Sequence, residues 1–215
     1  MAICRVRVVM QHFDKNFQPL DDTVRKTSLE ETMASAPKGF DDLWLFAYGS
    51  LMWDTTFAHC ETVAVVLDGW HRDLCVWTAL ARGTPDLPGL TLGLLPGGSC
   101  KGLAFKITKA EQPEILKTIW EREMWTDVYV PTWVSIDDGK RMYSAITFTT
   151  NNDSSQFAGD LSLEHMVDHV VKAKGKNGLC REYLFSTMDK LQALGIDEPS
   201  LRQVSELASN QEAGG

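Results

Sequence analysis

What this chain lacks narrows its class first. Its five cysteines, Cys4, Cys60, Cys75, Cys100 and Cys180, are odd in number and include no Cys-x-x-Cys pair. Neither a disulfide framework nor a structural zinc site is therefore expected, and reduced thiols in a cytoplasmic protein are the default. Basic residues are also short: 21 Lys and Arg face 29 Asp and Glu, for a net charge of -8. Binding nucleic acid needs clustered cations to neutralise phosphates, so no nucleic-acid partner is expected. Long apolar runs are missing too. The N-terminal Met1 to Met10 stretch carries Arg5 and Arg7 among its apolar residues, as neither a signal peptide nor a membrane helix would. No internal repeat or low-complexity tract is present. No membrane partner is expected, and the chain is expected to be a monomer or weak dimer.

What is present is a chain of 215 residues, 44% hydrophobic and 9% aromatic, enough for one sizeable core. Residues 1 to about 12 alternate apolar and basic like a short strand, and 13 to 40 are polar and charged. Residues 1–40 are thus expected to form a partly ordered or helical arm. Ser28 with Glu31 has capping-box spacing and predicts a helix from about Leu29 to Ala36, ended by Pro37-Lys-Gly39. A main domain is expected over 41–208, and a flexible tail over 209–215.

From Asp41 to Phe148, short apolar runs alternate with turn residues, as expected for a curled sheet or small barrel. Gly83-Thr-Pro-Asp-Leu-Pro-Gly89 reads as a rigid surface loop and Pro96-Gly-Gly98 as a hairpin turn. One helix interrupts the strands, opening at Thr108-Lys-Ala-Glu111 and running to about Met124. At about 100° per residue, the arc of Ile115, Leu116, Ile119 and Trp120 is centred at the angular position of Glu123, with Glu121 opposite. Glu123 is expected to face inward and Glu121 outward. After Asn151, Leu163, Met166, Val167, Val170 and Val171 form one helical stripe and Leu184, Met188 and Leu191 another, with Gly175 and Gly178 between them. The fold class is α+β: a compact mixed β-barrel with packed helices.

Two features carry the chemistry. The apolar run Leu43-Trp-Leu-Phe-Ala-Tyr48 stops at Gly49-Ser50, where the missing Cβ lets the chain turn and another molecule approach the main chain. Consecutive N–H groups in such a turn converge on negatively charged oxygen. An inward Glu123 is costly to ionise unless paired, and burial raises its pKa toward the range that suits proton transfer. Its structural alternative is a simple pairing with Arg72, Arg82, Arg122 or a backbone amide. His165 and His169 have metal-ligand spacing but fall opposite the apolar stripe, so they are expected to face solvent and bind no metal. Cys60 is read as a packing residue.

Phe46-Ala-Tyr-Gly-Ser-Leu-Met-Trp53, Gly69-Trp-His-Arg72, Arg82-Gly-Thr-Pro85 with Pro88-Gly89, Cys100-Lys-Gly-Leu-Ala-Phe105, Arg122-Glu-Met124 and Glu182-Tyr-Leu184 occur in this order. The sequence from about Asp41 to Leu194 thereby resembles the ChaC family of gamma-glutamylcyclotransferases. That resemblance implies a gamma-glutamylcyclotransferase-like barrel, a lyase that releases 5-oxoproline and Cys-Gly from glutathione without metal or organic cofactor. It implies a substrate loop at Tyr48, Gly49, Ser50 and Leu51, an acid/base glutamate at Glu123, a pocket tyrosine at Tyr183, and basic substrate-binding positions at Arg72 and Arg82. Two departures stand out. The Gly-Gly-Tyr that follows Arg-Glu in eukaryotic members is replaced by Met124-Trp-Thr-Asp-Val-Tyr129, and the Ser-Thr-Asp-His before Arg-Gly-Thr-Pro by Thr78-Ala-Leu-Ala81. The alternatives are turnover of other gamma-glutamyl amines, or a non-catalytic glutathione-binding or regulatory module.

Overall fold

The structure is a computed structural model that describes residues 18–38 and 42–213. Five strands close a barrel in the spatial order β1-β3-β2-β4-β5. They are β1 (Leu43–Ala47), β2 (Glu61–Thr78), β3 (Gly89–Ile107), β4 (Tyr129–Asp137) and β5 (Met142–Thr150). All neighbours are antiparallel except β1 and β5, which close the barrel in parallel, with Trp44 opposite Ala145 and Leu45 opposite Ile146. Every residue of β1 is buried, on both faces of the sheet, and the strand is paired along both edges. That is why its sequence is continuously apolar rather than alternating.

Two pairs of apolar runs join into single long strands. Residues 61–78 form one strand and 89–107 another, a long hairpin bent by register shifts at Asp68/Trp70 and Asp73/Val76. Pro96-Gly97-Gly98, expected as a hairpin turn, is a bulge inside β3, because Trp70 still pairs with Pro96 and Asp68 with Ser99. Positive φ values at Gly69 (81°), Gly97 (105°) and Gly98 (70°) absorb the irregularity. The Gly83 to Gly89 segment lies in the connection at the tip of this hairpin.

The helices are α1 (Asp22–Ala34), α2 (Gln112–Glu123), α3 (Leu163–Lys172), α4 (Cys180–Ala193) and α5 (Pro199–Ala213). A two-stranded ribbon of β6 (Lys174–Gly175) and β7 (Gly178–Leu179) separates α3 from α4. α1 begins earlier than expected. Asp21, not Ser28, caps it by accepting from Val24 N at 3.0 Å, while Ser28 Oγ sits 3.3 Å from the Trp120 indole nitrogen that donates to it. The helix rests on α2 and β4, where Trp133 Nε1 donates to Thr32 O at 2.7 Å. The strand expected over residues 1–12 lies outside the described residues.

α2 opens at Gln112 rather than Thr108, whose hydroxyl donates to the Glu111 carboxylate at 2.6 Å instead of capping the backbone. Its buried face is Ile115, Leu116, Ile119 and Trp120, with Trp120 edge-on to Phe148 at 5.2 Å. α5 continues to Ala213, past the expected start of the tail at 209, because Leu201, Val204 and Ala208 are buried.

Gly102 sits where β3 presses on β1: an added Cβ would lie 2.3 Å from Ala47 O and 2.8 Å from the Phe46 ring. Gly102→Ala is expected to destabilise the fold by about 1–3 kcal/mol, measured as a lowered Tm, and to disturb the loop that leaves β1.

Candidate active site

β1 delivers its next residues to one end of the barrel. After Tyr48 the chain reverses at Gly49 (φ -131°, ψ -132°) into a single 3-10 turn, Ser50–Met52. Its first N–H groups have no acceptor within the turn, and those of Gly49, Ser50 and Leu51 have no hydrogen-bond partner among the described residues. The Tyr48 side chain is anchored by donating to Phe148 O at 2.8 Å. The turn and Glu123 share a narrow cavity of about 30 Å³ with Leu92, Tyr129, Phe148 and Tyr183, space for about one water-sized group. Ser50, Glu123, Tyr129 and Tyr183 also border a wider cleft of about 480 Å³, within the ordinary range of small-ligand sites.

Glu123 points inward as expected, its side chain only 14% exposed, whereas the side chain of Glu121 is 58% exposed. Arg122 braces it. The guanidinium Nε lies 3.0 Å from Glu123 Oε1, near enough for ionic attraction but not aligned as a hydrogen bond, so Oε1 keeps no hydrogen-bond donor. The rest of Arg122 ties α2 to the turn: Nη2 donates to Ser50 Oγ and Nη1 to Asp54 O, each at 3.0 Å. Burial pushes the Glu123 carboxyl above its ordinary range, Arg122 pulls it back, and the Asp54 carboxylate adds to the rise. The carboxyl is thus offset by the nearby guanidinium without a hydrogen bond to Oε1.

Three tyrosines wall the cavity. Tyr129 donates to Leu92 O at 2.7 Å, and Tyr183 accepts from Leu92 N at 3.1 Å. Their phenols and that of Tyr48 are pushed up chiefly by burial, with Glu123 contributing, so all three stay neutral and act as hydrogen-bonding groups. Tyr129 is the first residue of β4, six residues after Glu123. The departure noted after Arg122-Glu123 therefore still brings a tyrosine to the cavity, by way of the intervening connection.

The expected site residues divide. Tyr48, Gly49, Ser50, Leu51, Glu123 and Tyr183 come together around the cavity. Arg82 lies on the cleft, where Nη1 donates to Leu179 O at 3.2 Å and approaches Glu182 Oε2 at 3.4 Å, bracing the start of the helix that carries Tyr183. Arg72 borders neither space. It is 3% exposed, and its Nη1 donates to Tyr48 O at 2.9 Å from behind the loop, because its position on β2 turns it into the packed layer below the turn. A role for Arg72 in touching substrate is thus replaced by one in supporting the loop. Arg122, Tyr129 and Leu92 were not identified as site residues from sequence. Arg122 had a visible cue in its place beside Glu123, while Leu92 acts through its backbone and left none.

Two other expectations change. His165 is exposed, but His169 is half-buried, its Nδ1 2.7 Å from Pro88 O and its ring edge-on to Trp77 at 4.7 Å. Among the described residues no group of three His, Cys, Asp or Glu gathers as a metal site. Cys60 is exposed rather than packed. No helix among the described residues is long and apolar enough to cross a membrane.

This closed α+β barrel is similar in fold to solved gamma-glutamylcyclotransferases. A solved yeast gamma-glutamyl cyclotransferase specific to glutathione superposes with a TM-score of 0.73, covering 79% of this chain and 96% of that one, at 17% identity. The family described as ChaC-like protein matches residues 43–211, and the chain belongs to it. Among its relatives, the glutathione-specific gamma-glutamylcyclotransferase of Escherichia coli is 33% identical over 181 residues, 84% of this chain and 78% of that protein. Gamma-glutamylcyclotransferase 2-3 of Arabidopsis thaliana is 30% identical over 176 residues, 78% of this chain and 87% of that protein.

Because Asp54 raises the Glu123 pKa and Arg122 lowers it, Asp54→Asn is expected to move Glu123 titration to lower pH and Arg122→Met to higher pH. Carboxyl carbon NMR across a pH series checks both signs.

Proposed function

We propose that this chain is a gamma-glutamylcyclotransferase that converts glutathione to 5-oxoproline and Cys-Gly. The observation that carries the reading is that Glu123, largely buried and with its carboxyl pushed up by burial, shares one cavity with the turn at Gly49–Leu51. The names of the relatives support the choice of glutathione.

The substrate supplies its own nucleophile. Its α-amine attacks its γ-carbonyl, closing the five-membered lactam, and the bond to the Cys-Gly amine breaks. The pocket's first contribution is to hold the γ-glutamyl arm folded, since well-oriented intramolecular reactions reach effective molarities of about 10⁵ M or more. A Cβ at Gly49 would meet the Tyr183 hydroxyl at 3.4 Å and Leu92 at 3.7 Å, ordinary contact distances, so it would take up space between the turn and Tyr183 without a clash.

The amine arrives as an ammonium. Glu123 takes one proton before attack and gives it to the departing Cys-Gly nitrogen. The second proton, shed by the attacking nitrogen as the lactam N–H forms, ends on the released amine, which leaves as an ammonium, so proton and charge balance and Glu123 ends each turnover ionised. A carboxyl whose pKa lies above its ordinary value performs both halves better near neutral pH than an exposed one. As the tetrahedral intermediate forms, negative charge grows on the former carbonyl oxygen. The N–H groups of the Gly49–Leu51 turn receive it, each such donor contributing about 3 kcal/mol in comparable sites. Tyr183 and Tyr129 hold the substrate's polar groups without ionising, and Arg82 on the cleft draws in a carboxylate. No step in this scheme calls on a metal or organic cofactor.

Incubating the purified protein with glutathione is expected to give 5-oxoproline and Cys-Gly in equal amounts by mass spectrometry. Intact glutathione after prolonged incubation would overturn the reading, and 5-oxoproline from gamma-glutamyl amino acids at equal efficiency would overturn its specificity. Glu123→Gln is expected to keep its fold and bind glutathione while losing turnover by about 10²–10⁴-fold, the usual range for general acid–base catalysis. Glu121→Gln is expected to stay within about twofold of the parent, since exposed surface changes away from a site are usually small.

A further inference from the structure

We propose that Glu198, at the entry to α5, is a positioning residue that acts through Arg72 to set the direction of the Gly49 N–H. The inference rests on the reading that the Gly49–Leu51 turn receives the developing negative charge. Its premise is geometric: in a trans peptide the carbonyl and the following N–H share one plane and point opposite ways. Whatever holds the Tyr48 carbonyl therefore also aims the Gly49 N–H.

Arg72 is that holder. Its side chain is fully buried, Nη1 donates to Tyr48 O at 2.9 Å and Nη2 to Cys100 Sγ at 3.2 Å. Arg72 borders neither the cavity nor the cleft, whereas Gly49 lines the cavity, so the two ends of the peptide plane face different surroundings. A hydrogen bond from a cation to the carbonyl also polarises the peptide, making its N–H a stronger donor.

A buried guanidinium needs an anion, and the anion comes from far along the chain. Glu198 Oε1 lies 3.0 Å from Arg72 Nε, with the Glu198 side chain 22% exposed. This approach is ionic rather than an aligned hydrogen bond, as Nε has no hydrogen-bond partner. Local structure puts the carboxylate there. Gly195, at φ 65°, reverses the chain after α4, Pro199 starts α5, and Arg202 N donates to Glu198 O at 2.9 Å as its first turn closes. A carboxylate at a helix start is favoured by the helix dipole. The C-terminal helix, which touches neither the cavity nor the cleft, thus supplies the countercharge that keeps the loop's support in place.

The test is steady-state kinetics of glutathione turnover together with amide NMR of Glu198→Gln and Glu198→Asp, with Glu206→Gln on the exposed side of α5 as control. The expected result for Glu198→Gln is a kcat lowered by about 10- to 100-fold, below the loss of about 10²–10³-fold for deleting an oxyanion donor outright. KM is expected to stay within about twofold, and the Gly49 amide resonance to shift while the far strands keep theirs. Glu198→Asp, which keeps the charge, is expected to recover part of kcat, and Glu206→Gln to match the parent. Unchanged kcat with an unmoved Gly49 resonance would overturn the proposal. A rise in KM alone, or a lowered Tm with kcat and Gly49 unmoved in the folded protein, would overturn it as well. If the parent protein itself releases no 5-oxoproline, the functional reading fails, while the Gly49 resonance still decides whether Glu198 governs the turn.

Discussion

A carboxylate can lie at the wall of an apolar cavity only if its charge is offset without being quenched, and much of this molecule serves that condition at Glu123. Arg122 lies 3.0 Å away but does not align as a hydrogen bond, so it offsets part of the cost of burial while burial still holds the carboxyl above its ordinary range. Asp54 sits on the same guanidinium and takes part of its charge. The three nearby phenols remain neutral because burial and Glu123 itself oppose their ionisation. Glu123 is thereby the carboxyl that this set of neutral phenols surrounds.

The barrel supplies the rigidity this balance needs. β1 is buried along its whole length and paired on both sides, so the turn that follows it leaves from a fixed point. Arg122 reaches from the end of α2 to that turn, and Arg72 supports it from beneath. Close approach at Gly102 presses β3 against β1 with no room for a side chain. Sites built on strands and helix ends hold their geometry better than sites on free loops. Here a three-residue turn gains that advantage from two guanidinium braces, the buried Arg72 and the half-buried Arg122.

Much of the site was legible from residue types and spacing. The inward turn of Glu123 followed from four apolar neighbours on α2, and the break at Gly49 from an apolar run that stops at a residue without a Cβ. What misled was local punctuation. Ser28-x-x-Glu31 and Thr108-x-x-Glu111 have capping spacing, yet Asp21 caps α1 and α2 starts four residues after Thr108, because tertiary packing chose the helix starts. Pro96-Gly97-Gly98 has the composition of a turn, but the long β2–β3 hairpin needs its curvature as a bulge.

By itself, then, the sequence determined the barrel class, the buried face of α2, and the turn that β1 delivers, because each depends on periodicity or on the conformational freedom of one residue. Only the tertiary structure decided that Arg72 supports the loop rather than lining the cavity, that Tyr129 reaches it, and that Glu198 lies against Arg72. These pairings join residues 24 to 126 positions apart in the chain. Spacing carries no information about contacts at that separation, which exist only once the barrel has closed and α5 has packed against α3 and α4.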